Sequence, residues 1–233
     1  MKDKKRMMKL IIISFSVIGL SIFLYYWYQG ARYIKTQDAR IAADTVIVSP
    51  QISGKITSWN ITEGEMVLAG QHLGWQDTGS ISSSSAVSVK SLNQTGSTAI
   101  SKAEITAPIS GKIIKSSVQE GQAASPGQTL AIIANIENLY VSANIEETKI
   151  SKVRIGETVD FTIDAFPKNT FKGKVEEIGQ ATISTFSIVS MQSSSGSFTK
   201  VTQLIPVKIR FSNTDKLALV PGMSAEIKIH VAE

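Results

Sequence analysis

Hydrophobic and polar positions along the chain fall into two regimes. Leu10–Tyr28, LIIISFSVIGLSIFLYYWY, runs nineteen residues without a charge, about the length a helix needs to cross a bilayer. From Thr36 onward apolar residues alternate with polar ones instead. VDFTID sets Val159, Phe161 and Ile163 against Asp160, Thr162 and Asp164, and VKIRF sets Val207, Ile209 and Phe211 against Lys208 and Arg210. AEIKIHV repeats the pattern near the C-terminus. A period of two over short runs bounded by Gly, Asn, Ser and Pro predicts half-buried strands. One short soluble helix is predicted, over Glu146–Val153 and closed by Gly156. The expected fold is mainly β, behind an N-terminal transmembrane helix.

A second pattern lies over the first. ISGKI occurs at Ile52–Ile56 and again at Ile109–Ile113, an offset of 57 residues. The same offset carries Glu63-Gly64 onto Glu120-Gly121, Gly70-Gln71 onto Gly127-Gln128 and Leu73 onto Leu130. A constant register through three Gly pairs marks a repeated structural unit. Gly54, Gly64, Gly70, Gly111, Gly121 and Gly127 are the expected turns of that unit, with positive φ between short strands. Each unit is too small to bury an apolar face alone, so the two are expected to close on each other into one pseudo-symmetric sandwich.

Charge changes the picture only at the N-terminus. Of the net +5, the first nine residues, MKDKKRMMK, carry +4, leaving +1 for everything that follows. A basic tail ahead of an apolar run orients that side to the cytoplasm. It removes the case for nucleic acid, which would need a basic patch on a domain. Tyr25, Tyr26, Trp27 and Tyr28 suit the opposite headgroup zone. The competing reading is a cleaved signal peptide, against which stand the length of the run and the poor cleavage site YQGARY. The body after Gly30 is expected outside the cytoplasmic membrane.

These features together resemble the HlyD/EmrA family of membrane fusion proteins, the periplasmic adaptors of efflux systems. The paired halves TQDARIAADTVIVSPQISGKI and AEITAPISGKI are similar to that family's split lipoyl/biotinyl-like (barrel-sandwich hybrid) domain. LYVSANIEETKISKVRIGETVDFTID resembles its crossing into a β-barrel, and FSIVSMQSSSGSFTKVTQLIPVKIRF with LVPGMSAEIKI its closing strands. The likeness is nearest to the EmrA-like branch that serves major-facilitator drug exporters. It implies a cytoplasmic tail (1–9), a transmembrane helix (10–28), a linker and lead-in strand (29–45), a split domain (46–77 with 103–136) and a barrel (137–233). The family's long helical hairpin between the halves is replaced by residues 78–102. Ser80–Lys102 of that segment, SISSSSAVSVKSLNQTGSTAISK, has 23 residues and no heptad pattern. Its composition reads as a loop.

Candidate chemistry is sparse. Carrier domains of lipoyl or biotinyl type present a modified Lys between their halves, and Lys90 is the candidate here; it sits in a long Ser-rich stretch rather than a tight hairpin. His72 and His230 fall on the polar sides of strands, far from any ligand spacing. Glu146-Glu147 and Glu176-Glu177 read as solvated faces, and Trp59 and Trp75 as core or rim of the sandwich. With no Cys and no G-x-S-x-G, H-E-x-x-H or phosphate loop, no enzyme and no cofactor are expected. The resemblance implies an adaptor paired with an inner-membrane drug or solute exporter of the major-facilitator type. It also implies contact with lipid through the N-terminal helix, and a homo-oligomer. A membrane-anchored structural or wall-binding protein, and a lipoyl or biotinyl carrier module, remain the other readings.

Overall fold

The computed structural model describes residues 16–21, 32–77, 103–186, 202–212 and 217–231. The expected span Leu10–Tyr28 lies outside these except for residues 16–21, which are helical and leave Val17, Ile18 and Leu20 more than half exposed. Among the described residues no helix is long and apolar enough to cross a membrane. The 78–102 connection, Lys90 included, lies outside the described residues altogether. The remainder forms two units, Ala43–Leu139 and a second that joins residues up to Ala42 with Tyr140 onward.

The first unit is a sandwich of two four-stranded sheets. Strands β2 (Thr45–Val48), β3 (Gly54–Trp59), β4 (Met66–Val67) and β5 (His72–Gln76) come from the first half-repeat. Strands β6 (Glu104–Thr106), β7 (Gly111–Ser116), β8 (Ala123–Ala124) and β9 (Ala131–Ala134) come from the second. One sheet has the order β2-β9-β7-β4 and the other β6-β5-β3-β8. An offset of 57, added for β2 and β4 and subtracted for β9 and β7, carries one sheet onto the other, so each sheet is built from two strands of each half. The halves are therefore exchanged rather than stacked. Val48, Ile56, Leu73, Ile105, Ile113, Leu130 and Ile133 fill the space between, all at most 5% exposed.

The second unit is a closed barrel. Its strands are β1 (Tyr33–Ala42), β10 (Tyr140–Glu146), β11 (Thr158–Ile163), β12 (Phe166–Ile178), β13 (Leu204–Phe211) and β14 (Ser224–His230), ordered β1-β10-β13-β12-β11-β14. Closure pairs every strand on both sides, which leaves no sheet edge to recruit another chain. The alternation seen in the sequence puts Val159, Phe161, Ile163, Val207, Ile209, Ile227 and Ile229 inside. Phe161 stacks on Phe171 at 5.3 Å and meets Phe211 edge-on at 5.0 Å. The helix expected over Glu146–Val153 is a single turn, Glu147–Ile150.

Residues 29–45 are expected from the sequence as a linker and a strand leading into the sandwich. Tyr33–Ala42 is instead a barrel strand, pairing β10 on one side (Ala39 with Ala143) and β14 on the other (Tyr33 with His230). Alternation identifies a strand but not its partner, and these partners lie more than a hundred residues away.

Candidate functional site

The repeat expresses itself residue by residue in the hydrogen bonds. The Gly64 N–H donates to the Ile113 carbonyl, and the Gly121 N–H to that of Ile56, both at 2.8 Å. Asn60 donates to Leu73 and Ser117 to Leu130, at 2.9 and 2.8 Å. The carboxylates exchange as well. Glu63 Oε1 accepts from the Ser116 N–H at 2.9 Å, while Glu120 Oε1 accepts from the Trp59 N–H at 3.1 Å. In each turn a Gln side chain closes its own loop: Gln71 accepts from Leu68 N–H and Gln128 from Ser125 N–H. Every one of these pairs maps onto the other by the offset of 57. Trp59 and Ser116, themselves equivalent, join through the indole N–H and Ser116 Oγ at 2.9 Å, which places them beside the pseudo-two-fold axis.

The six expected turn glycines divide into two kinds. Gly64, Gly70, Gly121 and Gly127 have φ of 89°, 81°, 86° and 88°, the left-handed region that disfavours a Cβ. Gly54 and Gly111 do not: they open strands β3 and β7 without positive φ. The reason for Gly there is space. A Cβ at Gly54 would fall on the Asp77 carbonyl oxygen, and one at Gly111 on that of Ala134. Asp77 and Ala134 are again an equivalent pair, so the same backbone crossing is made twice.

Where the halves differ is on their outer faces. Both sheets carry the same bulge, at Thr57 and at Ile114, so equivalent positions point the same way. On β2-β9-β7-β4 the outward residues are Ile47 (57% exposed), Ile132, Ile114, Met66 (54%) and, in the turn beyond, Leu68 (71%). Ile47 pairs with Ile132, and Lys112 and Lys115 flank the apolar row. The equivalents on β6-β5-β3-β8 are Glu104, Trp75, Thr57, Ala123 and Ser125. Beside the apolar row, Met66, Leu68, Gly111 and Ile136 line a cavity of about 230 Å³. Thus one face has become apolar with a basic border, and the other polar around a single aromatic.

The remaining candidates have local explanations. A pocket of about 530 Å³ lies on the pseudo-axis between Trp59, Ile61, Glu63, Val118 and Glu120, but both its carboxylates already accept backbone N–H groups of the opposite half. His72 Nδ1 lies 3.3 Å from Glu104 Oε1, and His230 Nε2 lies 2.6 Å from Asp160 Oδ2. Of the expected solvated pair, Glu176 takes two hydrogen bonds from Arg210, from Nε at 3.1 Å and Nη2 at 2.8 Å. Those bonds hold its carboxyl below the ordinary glutamate range, against a slight desolvation, with further help from the charges of Arg210 and Lys208. Among the described residues no cluster of His, Asp or Glu could hold a metal ion. Sequence reasoning missed the divergent outer faces. Their signal was present, because the offset of 57 sets Ile47 against Glu104 and Ile114 against Thr57, but it needed the bulges to show that those positions face outward.

Residues 44–136 match the barrel-sandwich hybrid domain of RND membrane fusion proteins, and residues 139–229 match the YknX-like β-barrel domain. The chain belongs to the membrane fusion protein family. This is the family of efflux-system adaptors, and it is not enzymatic. YhbJ of Bacillus subtilis, named as a component of an efflux system, is 36% identical over 98% of this chain and 96% of its own length. The colistin resistance protein EmrA of Acinetobacter baumannii is 37% identical over 56% of this chain and 37% of its own. This chain thus matches nearly the whole of YhbJ but little more than a third of that EmrA. The crystal structure of MacA from Actinobacillus actinomycetemcomitans superposes with a TM-score of 0.66 at 21% identity, covering 86% of this chain and 80% of that one. At that identity it speaks for the fold.

Proposed function

We propose that this membrane fusion protein is the extracytoplasmic adaptor of an inner-membrane drug or solute exporter of the major-facilitator type. Leu10–Tyr28 anchors it, with the basic tail in the cytoplasm and the sandwich and barrel outside. The observation that carries the reading is the match to YhbJ along nearly the whole of both chains. The likeness to an EmrA named for colistin resistance supports a drug as the exported compound. The exposed apolar side chains of the helical residues 16–21 support the anchor.

The divergent faces of the sandwich support self-association. One face carries the apolar row of Ile47, Ile114, Met66 and Leu68, and the opposite face carries the half-exposed Trp75 between Glu104 and Lys55, so the row of one copy has an aromatic surface to meet on the next. Such a contact is heterologous, and repetition closes it into a ring where the rotation allows. The adaptor works by packing, with the anchor against the exporter and the sandwiches side by side. The segment at 78–102 serves as a connection, with no docking arm assigned to it. Removing the protein from its cell, with the exporter left in place, tests the function. Fluorescent drug or solute should accumulate inside and be cleared again when the full chain is restored. Unchanged efflux in its absence would contradict the adaptor role.

A further inference from the structure

The barrel has two rims, and the chain enters at one of them. Tyr33 opens β1 and pairs with His230 at the end of β14, and the Val231 N–H donates to the Arg32 carbonyl at 3.0 Å. Ile229 pairs in turn with Val159, the second residue of β11. The turn ahead of β11, residues 151–157, therefore sits on the same rim as Tyr33. It is held firmly: the Gly156 N–H donates to the Val175 carbonyl at 2.8 Å and the Val175 N–H to that of Glu157 at 2.9 Å. Gly156, at φ 91°, reverses the chain. Val153 packs inward at 5% exposure, and Ile155 points out at 69%. Exposed Lys152 and Arg154 stand on its N-terminal side. Ile155 and the two basic groups thus stand together on a turn fixed by backbone hydrogen bonds.

The apolar run ends at Tyr28, four residues before Arg32. Four residues reach at most about 14 Å, at roughly 3.3–3.6 Å each. The headgroup layer on each side of a bilayer takes up about 5–8 Å of that. The rim thus cannot stand far from the lipid surface if the run spans the membrane. We infer that this rim is a second membrane contact, with Ile155 entering the interfacial zone and Lys152 and Arg154 on the phosphates of anionic headgroups. The inference rests on the reading of Leu10–Tyr28 as a membrane span. Glu147 and Glu157 also lie on this rim, and Lys149 is held by Glu146 at 2.9 Å. Glu157 Oε2 closes the turn by accepting the Arg154 N–H at 3.0 Å, so the attraction comes from the Lys152 and Arg154 side chains against one acid in the turn, and not from a basic rim. One span fixes where the body sits, and a second contact fixes how it is turned.

The chain has no Cys, so single cysteines carrying an environment-sensitive dye can be placed in the full protein reconstituted in vesicles. Three positions suffice: Ile155→Cys at the rim, Val220→Cys on the opposite rim, and Leu20→Cys in the apolar run. In vesicles with anionic lipid, the dye at 155 should be quenched by lipids spin-labelled at the headgroup, and the dye at 220 should not. The dye at 20 should be quenched only by labels deep in the acyl chains. Adding K152A and R154A should shift the docking equilibrium at 155 by about fivefold per charge removed, with no change at 20. A dye at 155 that behaves like that at 220, while 20 remains deep, overturns the rim contact and leaves the span standing. A dye at 20 that deep labels cannot reach overturns both. Shielding of 155 that appears only when the exporter is present overturns the lipid assignment in favour of a protein contact.

Discussion

At the scale of single residues, the glycines carry most of the information. Gly70 and Gly127 have positive φ with open space around the missing Cβ, so Ala there should cost about 1–2 kcal/mol of backbone strain. Asn, which tolerates that conformation, should recover part of it. Gly54 and Gly111 have ordinary φ and no space. Ala there should cost about 1–3 kcal/mol through overpacking, and Asn should be no better than Ala. Chemical denaturation of the full chain in detergent separates the two classes. Equal tolerance of Asn at all four positions would mean that the crossing is not tight. Glu176 gives a pH signature. A carboxyl whose pKa is lowered in the folded state adds stability that is present above its unfolded pKa and is lost as pH falls through the folded value. E176Q should therefore weaken the barrel at neutral pH by at most about 1 kcal/mol, the pair being solvent-exposed. The difference from the parent should close in acid, below the ordinary glutamate range. A gap that persists there would point to packing instead of charge.

Elements show what was legible and what was not. The repeat could be read from sequence because turns and close crossings both demand Gly, and that demand recurs at a fixed offset. Which demand applied could not be read, since a Gly required by φ and a Gly required by a neighbouring carbonyl look alike. Strands were legible through alternation, as with Val159–Ile163 and Val207–Phe211. The exchange of strands between halves was not, nor was the recruitment of Tyr33–Ala42 into the barrel, because pairing over long separations leaves no local trace. The connection at 78–102 yields to a simple test. Trp75 pairs with Glu104, so the chain leaves and re-enters on neighbouring antiparallel strands that a short loop can join. Loop-closure cost grows only slowly with length. Replacing Ser82–Thr98 with a short Gly-Ser linker should leave the melting profile and exporter capture unchanged. Normal folding with lost export would show that this segment is a contact surface.

At the scale of the whole molecule, the two faces of the sandwich predict how copies meet. Cysteines placed at Ile47 and at Trp75 on separate copies should crosslink to each other in membranes, and cysteine at Ile47 should not crosslink with itself. I47E should reduce the crosslinked ladder without altering the melt, because Ile47 lies on the surface. A self-crosslink at Ile47 would instead indicate a two-fold contact. The central claim is the exporter partnership, and the most direct measurement is photocrosslinking in native membranes from a residue in the apolar run, such as Leu20, with the captured protein identified by mass spectrometry. The account predicts a multi-span exporter of the major-facilitator type, captured from Leu20 in the parent and in the linker-replaced chain alike. Capture of cell-wall or structural proteins, with no transporter from any position in the run, would contradict it.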